Sequence, residues 1–178
     1  MTGDDLKGLV RTIPDFPAPG VQFRDITTLI GDGAGFAASV AMLAANAEAG
    51  GAEAIAGMEA RGFIFGAAVA AKLSLPFIPI RKPGKLPCET IGVDYHLEYG
   101  TDRLEMDPGA VREGQTIVIV DDLLATGGTA CAATQLLREA GANVATATFV
   151  IDLPDLGGRD VLVQTGVAVS ALMDFPGS

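Results

Sequence analysis

The stretch Val118-Ile119-Val120-Asp121-Asp122-Leu123-Leu124-Ala125-Thr126-Gly127-Gly128-Thr129 sets two adjacent carboxylates before a run of small residues and hydroxyls. Gly127 and Gly128 let the backbone turn tightly and approach a ligand where a Cβ would obstruct it. The N–H groups of such a loop, with the hydroxyls of Thr126 and Thr129, form a cradle for an anion. Asp121 and Asp122 cannot hold a phosphate, so they suit sugar hydroxyls or a hydrated metal ion. Phosphate, sugar diol and metal together describe a phosphorylated ribose. No Gly-Lys-Thr follows the glycines, which counts against a nucleoside-triphosphatase loop. The same residues also fit a plain structural turn, with a capping Thr and two solvated Asp.

Chemistry of this kind needs a strand to deliver the carboxylates and a helix to receive the anion. The apolar run Thr116 to Val120 predicts a buried strand, and Thr129 to Ala140 a helix. Asp121 and Asp122 then stand at the carboxyl end of the strand, where open α/β sheets bind ligands. Met58-Glu59-Ala60-Arg61-Gly62-Phe63-Ile64-Phe65-Gly66 repeats the sequence of strand, charged turn and helix. Arg61 projects from the same sheet edge, and a guanidinium there suits a diphosphate through forked hydrogen bonds. Its plainer alternative is a surface pair with Glu59. Phe16-Pro17-Ala18-Pro19-Gly20-Val21-Gln22-Phe23-Arg24-Asp25-Ile26 is too rich in Pro and Gly to predict a regular element. Within it, Phe23 is either a stacking platform for a flat ring or a core anchor.

The remaining segments alternate between helical and strand character, which predicts a mainly parallel α/β sheet flanked by helices. Phe36 to Ala49 and Gly62 to Lys72 are the other predicted helices. Ala54 to Met58, Phe77 to Ile80, Val144 to Ile151 and Val167 to Met173 are the other predicted strands. Between Arg81 and Gly114 the pattern is broken by Pro83, Gly84, Pro87, Gly92, Gly100, Pro108 and Gly109. Such a stretch is either a functional lid or an ordinary hairpin excursion, of which Tyr95 to Tyr99 would form one arm.

Composition narrows the class. A chain of 178 residues, 49% hydrophobic and 19% charged, suits one domain with a full core. Its net charge of −10 argues against a nucleic-acid partner, because the phosphate backbone demands a basic surface. It leaves room for a local positive site built from Arg24, Arg61, Arg81, Lys82 and Lys85. The uncharged run Phe63 to Ala71 is too short to span a bilayer, and the acidic start Met-Thr-Gly-Asp-Asp lacks a signal pattern. The expectation is a cytoplasmic protein with no membrane partner. Cys88 and Cys131 make no disulfide framework, and the single His96 cannot build a zinc site. Any metal should be oxygen-bound and Mg²⁺-like.

The acidic pair with its Thr-Gly-Gly-Thr turn resembles the phosphoribosyl-diphosphate loop of the type I phosphoribosyltransferases. Further segments in the same order resemble the adenine phosphoribosyltransferases of that family. They are Phe16-Pro17 with Phe23-Arg24-Asp25-Ile26, Arg61-Gly62-Phe63, Arg81-Lys82-Pro83-Gly84-Lys85-Leu86-Pro87, Leu97-Glu98-Tyr99-Gly100 and Phe175-Pro176-Gly177. The resemblance implies the type I phosphoribosyltransferase fold as a single domain over residues 1–178. A small hood of N- and C-terminal segments would sit on it, with about 1–34 contacting adenine and about 82–105 forming a mobile catalytic loop.

It further implies purine salvage, in which the phosphoribosyl group of phosphoribosyl diphosphate passes to adenine, giving AMP and diphosphate. The 5′-phosphate would sit on Ala125, Thr126, Gly127, Gly128 and Thr129, and the ribose hydroxyls on Asp121 and Asp122. Mg²⁺ would be held mainly through substrate and water near those carboxylates, with no direct protein ligand. Arg61 would lie near the diphosphate as one catalytic residue and Glu98 would handle the proton at the purine as the other. Arg81 and Lys82 would reach the diphosphate of a neighbouring subunit in a homodimer, and Lys85 would ride on the mobile loop. Adenine would stack between Phe23 and Leu153, its edge read by the backbone of Gln22 and Arg24. No Lys or Arg lies between Glu139 and Gly158, where relatives acting on 6-oxopurines generally place a Lys. Another purine-base transferase, or a non-catalytic phosphoribosyl-diphosphate sensor, stands as the alternative. His96 is an ordinary polar residue or a tuner of Glu98, and Cys88 an oxidation liability.

Overall fold

The computed structural model describes residues 1–97 and 100–177 of the chain. Its centre is a five-stranded sheet of β3 (Ala54–Met58), β4 (Phe77–Ile80), β7 (Thr116–Leu124), β8 (Asn143–Asp152) and β9 (Ala168–Asp174). The strands run in the order β4-β3-β7-β8-β9 and every pairing is parallel. Every residue of β3 is buried, as expected of a strand covered on both faces. Alternate residues of β7 feed opposite cores. Ile117 and Ile119 join Leu136, Leu137 and Phe149 on one side, while Val118 and Val120 join Leu43, Phe65 and Val150 on the other. Phe65 and Phe149 are fully buried, and each such ring contributes about 1.5–3 kcal/mol.

Helices α3 (Gly33–Ala49) and α4 (Arg61–Leu73) cover one face, α5 (Gly128–Glu139) and α6 (Gly158–Gln164) the other. The predicted positions of β3, α4, β4, α5, β8 and β9 hold to within a residue or so at each end. Strand β7 runs on through Asp121 and Asp122 to Leu124, so the carboxylates lie within its ladder rather than just beyond it. Helix α6 was not anticipated. Val161-Leu162-Val163 has no helical period because only Leu162 is buried, while Val161 and Val163 are exposed.

The N-terminal segment also holds more order than its composition predicts. It comprises α1 (Gly3–Lys7), an antiparallel hairpin of β1 (Arg11–Pro14) and β2 (Gln22–Asp25), and α2 (Thr27–Gly31). Pro17, Pro19 and Gly20 fall in the turn, so they bound the hairpin without interrupting its ladder. Phe23 therefore lies on a strand, not in an irregular loop. A second hairpin, β5 (Ile91–Leu97) with β6 (Gly100–Met106), occupies most of the stretch between Arg81 and Gly114. The backbone of that stretch forms a hairpin, flanked by Pro83, Gly84, Pro87, Pro108 and Gly109. An antiparallel bridge between Arg81 and Glu105 ties β6 to the end of β4. No helix is long and apolar enough to cross a membrane among the described residues.

Asp25 anchors the first hairpin. Its carboxylate accepts the Thr27 N–H (2.9 Å), the Arg11 guanidinium (Nη2, 2.5 Å) and the Thr27 hydroxyl (2.8 Å). These bonds hold its pKa at about 2, against an ordinary 3.8. A folded value below the unfolded one means that the anion stabilises the fold above pH 3.8, a contribution lost as pH falls through about 2. Asp25→Asn should flatten the pH dependence of the urea midpoint across that window; an undiminished slope would assign acid sensitivity to other carboxylates.

Candidate active site

The carboxyl ends of β3 and β7 open into a cleft of about 440 Å³, lined by Glu59, Arg61, Lys82, Asp121, Asp122 and the loop Ala125 to Thr129. Gly127 begins the turn with φ 85°, a left-handed conformation that favours glycine. Helix α5 starts at Gly128 with no side chain capping it. The N–H groups of its first turn therefore have no intrahelical partner and lie at the positive end of the helix dipole. The plain reading of a capping Thr does not hold, and the arrangement is one that receives an anion.

Behind this loop stands the start of α6. The Gly158 N–H donates to the Ala125 carbonyl at 3.0 Å. A Cβ on Gly158 would sit 2.1 Å from that oxygen, and one on Gly127 would sit 2.8 Å from the Gly158 carbonyl oxygen. Two glycines thus let backbone brace backbone. The sequence reading missed Gly158, whose only local signal is the Gly157-Gly158 pair.

Both carboxylates at the cleft floor are buried, Asp121 at 9% exposure and Asp122 at 5%. Burial, then the neighbouring Asp122 carboxylate, pushes the Asp121 pKa well above the ordinary carboxylate range. The Asp122 N–H donates to Asp121 Oδ1 at 2.9 Å. Asp122 itself pairs with Arg61 Nε at 2.7 Å. Arg61 therefore does not take Glu59 as its partner. Glu59 accepts instead from Arg81 Nη2 at 3.1 Å and from the Lys82 N–H. Burial raises the Glu59 pKa, but these two donors more than offset it and leave it below the ordinary value. Gly62 completes the contact, since a Cβ there would lie 2.3 Å from Asp121 Oδ1.

A second, smaller pocket of about 260 Å³ adjoins the cleft, lined by Gln22, Phe23, Arg24, Arg61, Leu123, Leu153 and Leu156, with Val21 at its edge. The four residues expected around a flat base are all here. Phe23 is half-buried and meets Phe16 edge to face at 5.1 Å, and the Arg61 guanidinium stands 5.7 Å from its centroid. It forms a pocket wall rather than a core anchor. The Arg24 side chain turns elsewhere, to Thr12 Oγ1 (2.7 Å) and the Pro176 carbonyl (3.0 Å), joining the N- and C-terminal segments. Arg61 lines both pockets.

Other expected site residues are not brought in. Arg81 binds Glu59 and the Lys85 carbonyl and lines neither pocket, and Lys85 is exposed outside both. Lys82, expected to face a neighbouring subunit, lines the cleft of its own chain. Glu98 lies outside the described residues. His96 is exposed on β5 opposite Thr101, and Cys88 is exposed. Cys131 is partly buried, which pushes its thiol pKa up. Among the described residues no three His, Cys, Asp or Glu side chains group to hold a metal. Leu156 was passed over in the sequence because a single leucine carries no motif, and Glu59 was weighed only as a surface partner of Arg61.

The glycine brace can be probed directly. Gly158→Ala should push the Ala125 carbonyl into the cradle and weaken inorganic diphosphate or phosphate binding about tenfold or more by calorimetry. Unchanged anion affinity would show that the loop holds its shape without the brace.

Residues 28–162 match the family model of the phosphoribosyl transferase domain. The adenine phosphoribosyltransferase of Novosphingobium aromaticivorans is 68% identical over 177 residues, covering 99% of each chain. Among solved structures, the adenine phosphoribosyltransferase of Thermoanaerobacter pseudethanolicus superposes with a TM-score of 0.93 at 47% identity, covering 98% of this chain and 100% of that one. The enzyme of Saccharomyces cerevisiae, solved with an imino-altritol bisphosphate and adenine, gives 0.89 at 35% identity, covering 96% and 98%. With the parallel sheet, the uncapped helix behind Gly127 and two adjoining pockets, these likenesses place the chain in the phosphoribosyltransferase family, among the adenine phosphoribosyltransferases.

Proposed function

We propose that this enzyme transfers the 5-phosphoribosyl group of phosphoribosyl diphosphate to adenine, releasing diphosphate and forming AMP. The observation that carries this reading is the pair of adjoining pockets that share Arg61, one charged and one apolar. The donor's 5′-phosphate rests on Ala125 to Thr129, where free N–H groups and a helix N-terminus suit a dianion. Asp121 and Asp122 take the ribose hydroxyls, and Arg61 and Lys82 face the diphosphate. Adenine enters the apolar pocket between Phe23 and Leu153, with backbone groups of Gln22 and Arg24 reading its edge. The relative from Saccharomyces cerevisiae was solved with adenine, which supports adenine as the base.

The reaction separates a leaving diphosphate from an oxocarbenium-like ribose as the adenine nitrogen approaches. Arg61 stabilises charge accumulating on the leaving oxygen, while Lys82 helps to bind the diphosphate. Asp121 and Asp122 orient the ribose through its hydroxyls. Glu98, beyond the described residues, is proposed to manage the purine proton, a role typically worth ~10²–10⁴-fold. Closure of the segment at about 82–105 excludes water that would otherwise capture the ribosyl cation.

Mg²⁺ is proposed as the cofactor. The two carboxylates offer hard oxygen donors but too few for a protein-held cage, so the ion is held mainly by substrate oxygens and water. When bound, it neutralises diphosphate charge. A homodimer is the proposed assembly; Arg81, turned to Glu59 within its own chain, would have to re-aim to serve a partner's site. Free thiols at Cys88 and Cys131 suit the reducing cytoplasm.

Diphosphate release from phosphoribosyl diphosphate and Mg²⁺, measured in parallel with adenine, hypoxanthine, guanine and uracil, tests the proposal. Turnover with adenine alone is expected. Turnover with another base would keep the chemistry and overturn the pocket assignment, while donor binding without turnover would favour a sensor. Phe23→Ala should raise the KM for adenine about tenfold with kcat less affected, given what an aromatic stack adds beyond burial. An unchanged KM would remove Phe23 from the base site.

A further inference from the structure

Lys82 follows the edge strand β4 and its backbone N–H is pinned to Glu59 at the lip of the charged cleft. That contact fixes its Cα but not its head group. A lysine stem has four rotatable bonds, and the Lys82 side chain is 39% exposed, so an unheld ammonium would sweep through solvent. It does not sweep. Its Nζ donates to the Asp102 carboxylate and, at 3.2 Å, to the Tyr95 hydroxyl oxygen. The Tyr95 hydroxyl in turn donates to the same Asp102 oxygen at 3.1 Å.

Tyr95 and Asp102 are cross-strand partners in the β5–β6 hairpin, one on each arm. Tyr95 is 8% exposed, so its hydroxyl is carried on a buried ring. The hairpin is anchored where β6 meets Arg81, one residue before Lys82. Both partners of the ammonium therefore sit on the hairpin that this bridge joins to the lysine's own segment. An ammonium has three N–H donors. Two engage Asp102 and Tyr95, and one is left among the described contacts for an anion in the cleft.

We infer that Asp102 is a positioning residue: together with Tyr95 it holds the Lys82 ammonium at the cleft wall, where that ammonium meets the diphosphate. This rests on the reading that the cleft takes phosphoribosyl diphosphate. A held cation meets the leaving group without first being ordered, so binding loses less conformational freedom. Burial opposes the Lys82 charge, yet the bonds to Asp102 and Tyr95 outweigh it and place the pKa above its ordinary value. Asp102, bonded to Lys82, lies below its own. The pair stays ionised, and Asp102 is spatially separate from the Asp121–Asp122 floor, since it does not line the cleft.

The experiment compares wild type, Asp102→Asn, Asp102→Glu, Lys82→Met and the Lys82→Met/Asp102→Asn double variant by steady-state kinetics of diphosphate release. Asp102→Asn should raise the KM for phosphoribosyl diphosphate about tenfold, the effect of one charge-assisted hydrogen bond, with the adenine KM and kcat nearly unchanged. Asp102→Glu should recover part of the loss. In the Lys82→Met background, Asp102→Asn should add nothing, because its effect runs through the lysine. Tyr95→Phe, which keeps the buried ring, should shift the same KM in the same direction and stands in if Asp102→Asn fails to fold. With a turning-over wild type, an unchanged or lowered donor KM in Asp102→Asn, or a full effect persisting in Lys82→Met, overturns the inference alone. A wild type that releases no diphosphate overturns the cleft reading and the inference with it.

Discussion

Two carboxylates buried side by side at the end of β7, with one guanidinium between them and solvent, are the constraint around which the rest of the site is arranged. Removing a charge from water is costly unless it is paired or neutralised. The chain answers differently for each. Asp121 is driven toward its protonated form by burial and by its neighbour, while Asp122 keeps Arg61 on it. Other local choices serve this one. Gly62 has no Cβ to strike Asp121, and Glu59 binds Arg81 and the Lys82 N–H, which leaves Arg61 for Asp122. A substrate that brings hydroxyls and a divalent cation relieves the carboxylates, and one that brings phosphates relieves the cations.

The anion cradle follows a different principle. It uses no charged side chain of its own, but backbone dipoles at an uncapped helix start and the hydroxyls of Thr126 and Thr129, kept in shape by the close approach of α6 to the loop. Backbone held by backbone cannot swing away as a side chain can, which suits a group that must be bound identically before and after reaction. The cations of the cleft are held instead by side-chain pairs: Arg61 by Asp122, Lys82 by Asp102 and Tyr95. Such pairs hold a charge in place while leaving it able to exchange partners, which suits contacts to a group that departs.

Much of the scaffold was legible because its strands are buried on both faces. Ala54 to Met58 and Thr116 to Val120 read as apolar runs, and α4 and α5 followed from the charged turn and the glycine turn that precede them. The hood hairpin was not legible, because two prolines and a glycine lie in its turn and only four residues remain in each strand. Helix α6 escaped for the opposite reason, as Val161 and Val163 are apolar yet exposed. The residues that belong to motifs (Asp121, Asp122, Arg61 and the Ala125 to Thr129 loop) come together in one cleft. Arg81 lies outside both pockets, its side chain turned to Glu59 and the Lys85 carbonyl, partners that no local pattern specifies.

The sequence by itself determined that a strand carrying two acids feeds a glycine turn and a helix, an arrangement suited to phosphate and sugar. Those facts are local, set by hydrophobic period, glycine geometry and the charge of adjacent residues. Only the tertiary structure decided who faces whom. By sequence Arg61 suited a diphosphate or a pair with Glu59, and the fold sets it on Asp122 because Arg81 and the Lys82 N–H, arriving from β4, occupy Glu59. Phe23 was a wall or a core anchor until the hood hairpin carried it to Leu153 and Arg61. Pairing between side chains far apart in sequence depends on the packing of whole elements, and that is information no window of residues contains.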